Sequence, residues 1–222
     1  MNKVSLAAIF DMDGVICDTN PYHSIAFRVF FSELGLFPTD SEFAEHMFGK
    51  SNSYILSHFM GRKIEGQELA DLEFKKEALF RELYAPHVQP IDGLIPFMQE
   101  LHQAGVAIGI ATSAPMANLD LILSKLPEIK GMATSLMASE QVERHKPDPE
   151  VYLKSAQRLG VSPERCVVFE DSVSGIKAGL AANMQVVGVL SSHQPHELPP
   201  CALYIERYQE LDIALFERLV GG

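Results

Sequence analysis

A short apolar run near the start of the chain ends in two carboxylates, and this feature limits what the sequence can fold into. Residues 4–10 have the length and composition of a strand that is buried on both faces. Asp11 and Asp13 follow the run, and Gly14 then permits a sharp turn. Open α/β sheets bind ligands beyond the carboxyl ends of their strands, where two like charges are costly unless a cation is held. The stretch therefore predicts a divalent metal ion and an anionic substrate.

Strands and helices alternate in the second part of the chain. Apolar runs of strand length occur at residues 106–111, 133–137, 166–169 and 186–190. Segments with helical spacing separate them, which indicates a parallel sheet with helices on both faces. The last helix is predicted at residues 208–219. In contrast to this alternating part, residues 20–87 contain four predicted helices and no strand pattern. We therefore predict an α/β core domain at residues 1–18 and 89–222, and a small all-helical cap, a four-helix bundle, inserted at residues 19–88.

Charge and composition argue against several classes of function. The chain has 18 Lys and Arg against 29 Asp and Glu, a formal charge of −11, which disfavours nucleic acid or an anionic membrane as a partner. Cys17, Cys166 and Cys201 are far apart and fit no metal-ligand spacing, so free thiols are expected. The sequence has no apolar stretch of membrane-spanning length and no signal-peptide pattern. We expect a cytoplasmic monomer.

Further polar groups follow the later strands or lie just before a helix. They are Thr112, Ser113, Lys146, Glu170 and Asp171. Because the carboxyl ends of parallel strands meet at one edge of a sheet, these side chains should gather beside Asp11. Carboxylates, hydroxyl groups and an ammonium group suit phosphoryl transfer, in which a metal ion and a cation offset the charge of the phosphate.

Four motifs, taken in order, resemble those of the haloacid dehalogenase superfamily, and within it the β-phosphoglucomutase-like phosphatases. They are DMDGV at residues 11–15, Thr112, Lys146-Pro147 and EDSVSGI at residues 170–176. The helical insertion also lies where that family has its cap domain, and the resemblance covers nearly the whole chain. One such motif is weak evidence, whereas four in the expected order are specific. The resemblance implies a Rossmann-like parallel sheet with a helical cap.

The resemblance implies a catalytic role for each motif. Asp11 would be the nucleophile that forms an aspartyl-phosphate, and Asp13 the general acid and then the general base. Thr112 and the backbone amide of Ser113 would bind phosphate oxygens. Lys146 would neutralise charge as phosphorus is attacked.

The resemblance also implies a Mg²⁺ site. Asp11, the backbone carbonyl of Asp13, and Asp171 would hold the ion, with Glu170 nearby or ligating through water. The dehalogenase branch of the family lacks the second aspartate and needs no metal. Asp13 therefore argues against cleavage of a carbon–halogen bond.

Residues outside the four motifs bear on the choice between a phosphatase and a phosphomutase. Asn52 stands where the mutase has an arginine, and residues 114–116 replace its basic and amide side chains. His23 has the spacing from Asp11 of a mutase histidine, so it is expected to contact the substrate or Asp13. The residues predicted to bind substrate are His23, Lys50, Asn52 and Ser113. A mutase must bind a bisphosphate, and its cap needs a cation for the distal phosphate. The residues for that contact are incomplete here, which favours a phosphatase.

Three lysines of the predicted cap remain candidates to bind a distal phosphate. They are Lys50, Lys75 and Lys76. Lys75 and Lys76 are interpreted more simply as part of a solvated helix face.

The predicted function is a Mg²⁺-dependent phosphatase of a small phosphorylated metabolite, a sugar or polyol phosphate. The nearest alternative is a sugar phosphomutase of the β-phosphoglucomutase type. An alternative of another class is a non-catalytic phospho-aspartate switch, although a switch needs neither Asp13 nor a helical insertion of this length. Thr19 and the linker near Pro90 are the expected hinges for opening and closure.

Overall fold

The computed structural model describes residues 6–47 and 51–221. Its strands are β1 (Ala7–Phe10), β2 (Ala107–Ala111), β3 (Ala133–Met137), β4 (Cys166–Glu170), β5 (Gln185–Val189) and β6 (Leu203–Ile205). They form one parallel sheet in the order β3-β2-β1-β4-β5-β6. β1 is central, since Ile9 pairs with Gly109 on one side and with Val168 on the other.

Helices cover both faces of this sheet, as the sequence predicts. They are α5 (Leu94–Gln103), α6 (Met116–Lys125), α7 (Pro127–Met132), α8 (Glu150–Leu159), α9 (Val173–Ala181) and α10 (Ile213–Gly221). Ile9 of β1 packs in a core cluster with Val151 of α8 and Ile176 of α9. The ring of Phe10 stacks on Phe169 with centroids 4.5 Å apart, in an aromatic group that also includes residues of α5 and of the segment before α10. A central strand with apolar residues on both faces is therefore fully buried.

The chain divides into two compact units. One contains the residues up to Asp18 and those from Val88 onward, and the other is Thr19–His87. The second unit contains α1 (Asn20–Glu33), α2 (Asp40–Met47), α3 (Asn52–Phe59) and α4 (Gly66–Tyr84). Its core includes Phe27, Phe31 and Phe43. A capping box precedes α2, because the Glu42 backbone donates to Thr39 Oγ1 (3.3 Å) and the Glu42 carboxylate accepts from the Thr39 backbone (2.9 Å).

Several predicted elements differ from the structure. The strand predicted at residues 4–10 corresponds to β1, which begins at Ala7. Residues 4 and 5 lie outside the described residues. The predicted last helix is a 3₁₀ turn, Tyr208–Glu210, followed by α10. The short elements α7 and β6 have no counterpart in the prediction. In the described part of the chain, no helix has both the length and the apolarity needed to cross a membrane.

Candidate active site

The chain leaves β1 through a tight turn that carries Asp11 and Asp13. The backbone N–H of Asp11 donates to the carbonyl of Phe169 (3.0 Å), which extends the pairing with β4 by one residue. Asp11 is buried and Asp13 is half-buried. The N–H of Gly14 donates to the carbonyl of Cys17 (2.8 Å) and closes the turn. Both predicted acidic residues thus lie at the carboxyl end of the central strand.

Gly14 brings this turn against the end of β4. Its φ is 72°, and a Cβ at this position would lie 2.0 Å from Oδ2 of Asp171. Any side chain at position 14 would therefore displace the Asp171 carboxylate. The absence of a side chain here allows the two acidic loops to meet.

Lys146 joins three of the strand ends. Its ammonium donates to Asp11 Oδ1 (2.5 Å), to Glu170 Oε1 (2.7 Å) and to the backbone carbonyl of Ala111 (3.1 Å). The loop that carries it is fixed by Glu150, whose carboxylate accepts from the backbone N–H groups of residues 143 and 144 (3.0 Å each). The predicted convergence of Lys146 with the acidic residues is therefore present in the structure.

Glu170 is held by donors on both of its oxygens. Oε1 accepts from Lys146 and from the hydroxyl of Tyr152 (2.7 Å each). Oε2 accepts from the backbone N–H (3.0 Å) and the hydroxyl (2.9 Å) of Ser172. A buried carboxylate needs such partners, and here they fix its orientation.

Asp171 is held by the loop that follows β5. Ser192 Oγ donates to Asp171 Oδ2 (2.8 Å), and Ser191 Oγ contacts the same oxygen at 3.4 Å. His193 Nδ1 lies 3.0 Å from the Asp171 backbone carbonyl, where a protonated Nδ1 would donate to it. This loop therefore orients a predicted metal ligand.

Thr112 and Ser113 follow β2 at the same edge of the sheet. Phe10 pairs with Ile110, so Thr112 lies one residue beyond the register position of Asp11. Thr112 is buried, its N–H donates to the carbonyl of Met137 (2.9 Å), and its Oγ1 accepts from the N–H of Ala114 (2.9 Å). Ser113 is exposed. Both are at the position along the sheet that the sequence predicts for phosphate ligands.

Burial and mutual repulsion control ionisation in this site. Burial is the main cause that raises the pKa of Asp11 well above its usual value; Lys146 opposes the rise, and Glu170 adds to it. The pKa of Asp171 rises to about 7, chiefly through burial and then through repulsion by Glu170. Burial alone would lower the pKa of Lys146, but the charges of Asp11 and Glu170 raise it instead. Three carboxyl groups thus share one ammonium group, and full ionisation of all three would leave surplus negative charge in the site.

The donor set fits a divalent cation. Asp11, Glu170 and Asp171 each offer a carboxylate oxygen, and these oxygens all lie within 4.8 Å of one another. Oxygen ligands of this kind suit hard cations such as Mg²⁺. A cation would also relieve the repulsion that raises the pKa values of Asp11 and Asp171.

The helical unit contains a second group of buried polar side chains. Lys76 is 2% exposed, and its ammonium donates to Glu77 Oε1 (2.5 Å) and to His23 Nδ1 (3.1 Å). Asn52 Nδ2 donates to the same Glu77 oxygen (3.1 Å). The interpretation of Lys76 as part of a solvated helix face is therefore wrong, because its positive charge is buried and paired.

The other two cap lysines have different outcomes. Lys75 is exposed, as expected for a solvated helix face, and Lys50 lies outside the described residues. Of the predicted substrate ligands in the helical unit, the structure therefore joins His23 and Asn52 to one network through Lys76 and Glu77.

Sequence reasoning missed several residues of these networks. Tyr152 and Ser192 contact the acidic site, but neither belongs to a motif, and only folding brings them there. Glu77 could have been found, because residues 72, 76, 80 and 84 recur at helical spacing and are buried, and position 77 lies beside that stripe.

Comparison with known proteins identifies relatives over most of the chain. The family described as haloacid dehalogenase-like hydrolase matches residues 8–189. Hexitol phosphatase A of Escherichia coli is 32% identical over 209 residues, which cover 93% of this chain and 88% of that protein. The chloroplastic 5-amino-6-(5-phospho-D-ribitylamino)uracil phosphatase of Arabidopsis thaliana is 28% identical over 96% of this chain, which spans 57% of that protein's length. The crystal structure of β-phosphoglucomutase from Clostridium difficile has a TM-score of 0.83 and 25% identity, with 98% of each chain covered.

Proposed function

Because the chain belongs to the haloacid dehalogenase-like hydrolases, we propose that it is a Mg²⁺-dependent phosphatase that hydrolyses a small sugar or polyol phosphate. The observation that carries the proposal is the position of the Lys146 ammonium, 2.5 Å from Asp11 Oδ1 in a buried acidic site. A carboxylate nucleophile beside a fixed cation suits attack on a phosphoryl group.

The first half of the reaction transfers the phosphoryl group to the protein. A carboxylate oxygen of Asp11 forms a bond to phosphorus as the bond from phosphorus to the substrate oxygen breaks. Asp13 gives its proton to that leaving oxygen, which departs as an alcohol. Lys146 offsets charge on the phosphoryl oxygens, and Thr112 and the Ser113 amide bind them.

The second half releases phosphate. The Asp13 carboxylate takes a proton from water, whose oxygen attacks phosphorus as the bond from phosphorus to Asp11 breaks. Inorganic phosphate leaves, and Asp13 is protonated for the next cycle. Asp11, the Asp13 backbone carbonyl and Asp171 would hold Mg²⁺, with Glu170 nearby, and the ion would supply positive charge to the phosphoryl oxygens.

The substrate class rests on relatives and on the cap residues. Hexitol phosphatase A and β-phosphoglucomutase are each named for a sugar or polyol. We propose that His23, Lys50, Asn52 and Ser113 contact the substrate. The pairing of Lys76 with Glu77 supports a phosphatase over a bisphosphate-binding mutase, since the buried ammonium is already neutralised.

We also propose a domain organisation and a cellular location for the chain. The division of the chain after Asp18 and before Val88 supports a cap domain at residues 19–88 with hinges at Thr19 and near Pro90. We propose a cytoplasmic monomer, and the formal charge of −11 supports the absence of nucleic-acid and anionic-membrane partners.

The test is a screen of phosphorylated sugars and polyols with purified protein and Mg²⁺, with release of inorganic phosphate as the measurement. We expect phosphate to appear in step with substrate loss and to stop when the metal is chelated. An isomeric sugar phosphate without free phosphate would show a mutase instead. A long-lived phosphorylated protein without turnover would show a phospho-aspartate switch.

A further inference from the structure

The hydroxyl of Tyr152 takes no part in the reaction proposed above, yet it contacts the residues that perform it. Tyr152 lies on α8, its side chain is fully buried, and its hydroxyl donates to Glu170 Oε1 (2.7 Å). Lys146 donates to the same oxygen (2.7 Å), and its ammonium lies 4.9 Å from the centre of the Tyr152 ring. We propose that Tyr152 is a positioning residue, which acts through Glu170 to keep Lys146 on Asp11.

Two carboxylates compete for Lys146. Its ammonium is shared between Asp11 Oδ1 (2.5 Å) and Glu170 Oε1 (2.7 Å) in a buried site, where attraction between charges is strong. The Tyr152 hydroxyl is a neutral donor to the same Glu170 oxygen, so it satisfies part of the demand of that carboxylate. Glu170 therefore draws less strongly on Lys146, and the ammonium stays beside the nucleophile.

The second oxygen of Glu170 keeps the carboxylate from rotating when the Tyr152 hydroxyl is lost. Oε2 already accepts from the Ser172 backbone N–H and hydroxyl, so the carboxylate cannot turn without losing these bonds. Loss of the Tyr152 hydroxyl is therefore answered by the other donor to Oε1, which is the long Lys146 side chain. Its ammonium would move toward Glu170 and away from Asp11 and the phosphoryl group.

Tyr152→Phe isolates the hydroxyl, since phenylalanine keeps the ring beside Lys146 and fills the same space. The matched control is Tyr204→Phe in the same compact unit. Tyr204 also donates its hydroxyl at 2.7 Å, but to the backbone carbonyl of Pro199. Tyr204→Phe also loses a bond that the hydroxyl accepts from the Cys201 backbone N–H (3.3 Å). Only Tyr152→Phe loses a bond to the acidic site.

The kinetic test rests on the proposed function. We expect kcat of Tyr152→Phe to fall about tenfold with KM within about twofold, the size expected for loss of one hydrogen bond to a charged group. Tyr204→Phe should keep both constants within about twofold of the unmodified protein. A kcat of Tyr152→Phe that stays in that range, or that falls equally in both variants, would overturn the inference.

A second measurement does not depend on activity. In protein labelled with ¹³C-lysine, the Lys146 ε-methylene resonance is assigned by its loss in Lys146→Arg. This resonance should move in Tyr152→Phe and stay in place in Tyr204→Phe, and an unmoved resonance in Tyr152→Phe would overturn the inference. If the unmodified protein hydrolyses no phosphate ester, the proposed function fails, and the resonance alone decides the role of Tyr152.

Discussion

Buried charges occur in both compact units of the chain, but only those of the helical unit are balanced. In the unit that contains the sheet, three carboxylates face one ammonium group: Asp11, Glu170, Asp171 and Lys146. In the helical unit, Lys76 is paired with Glu77, and Asn52 satisfies the same carboxylate. A buried cluster whose charges are paired is tolerated within a fold, whereas a cluster with surplus charge is suited to a ligand of opposite charge.

The largest expected effect is on turnover. Asp11→Asn keeps the shape of the side chain but removes the nucleophile, so phosphate release should fall by about 10⁴-fold or more. Asp120→Asn, which changes an exposed carboxylate on α6, should leave turnover unchanged. Undiminished hydrolysis by Asp11→Asn would eliminate the proposed mechanism.

Neutralising one partner of the Lys76–Glu77 pair should lower the stability of the fold. Glu77→Gln leaves the buried Lys76 ammonium without its carboxylate, so the free energy of unfolding should fall by about 3–5 kcal/mol. Replacement of both partners, Lys76→Met with Glu77→Leu, should restore most of that loss. Denaturant unfolding measures both effects, with the exposed Lys75→Gln as control. A loss below about 1 kcal/mol in Glu77→Gln would show that the cluster is not a balanced pair.

The unbalanced cluster should make metal-free stability depend on pH. The Asp171 pKa is about 7 in the folded state and close to its ordinary value of about 4 when unfolded. The folded state therefore binds the proton more tightly, and stability is lost as pH rises through about 4 to 7.

Denaturant unfolding in a chelator is the measurement, and the decrease between about pH 5 and pH 8 should be on the order of 3 kcal/mol. Addition of Mg²⁺ at the higher pH should restore stability, because the cation replaces the proton. Metal-free stability that stays flat or increases across this range would contradict the assignment of surplus charge.

The smallest expected effect concerns the loop that orients Asp171. Ser192→Ala removes the hydroxyl that donates to Asp171 Oδ2 (2.8 Å), so affinity for a divalent metal should fall by about tenfold. Binding of Mn²⁺, followed by electron paramagnetic resonance, measures the change. Ser124→Ala is the control, since that exposed hydroxyl donates to the backbone carbonyl of Leu121. Equal affinities in the two variants would remove Ser192 from the metal site.

The sequence was sufficient to predict which residues meet at the edge of the sheet. Asp11, Thr112 and Asp171 each follow a strand, and parallel strands direct their carboxyl ends to one edge whatever the details of packing. The helices on both faces of the sheet followed from the alternation of strand and helix patterns.

Other features depend on contacts that no local pattern contains. Tyr152 reaches Glu170 only because α8 packs on the sheet, and Ser192 reaches Asp171 from the loop after β5. β6 has three residues and α7 has six, too few for a clear periodic signal. At Lys76 helical spacing outweighs charge, because the residue lies four positions from both Leu72 and Phe80, on the buried face of α4.

The contact between Gly14 and Asp171 has a consequence for the history of such chains. Since even a methyl group at position 14 would overlap the carboxylate, a descendant that acquires any side chain there must retract the turn after β4. Such a lineage would keep its sheet and its helices while losing this arrangement of carboxylates.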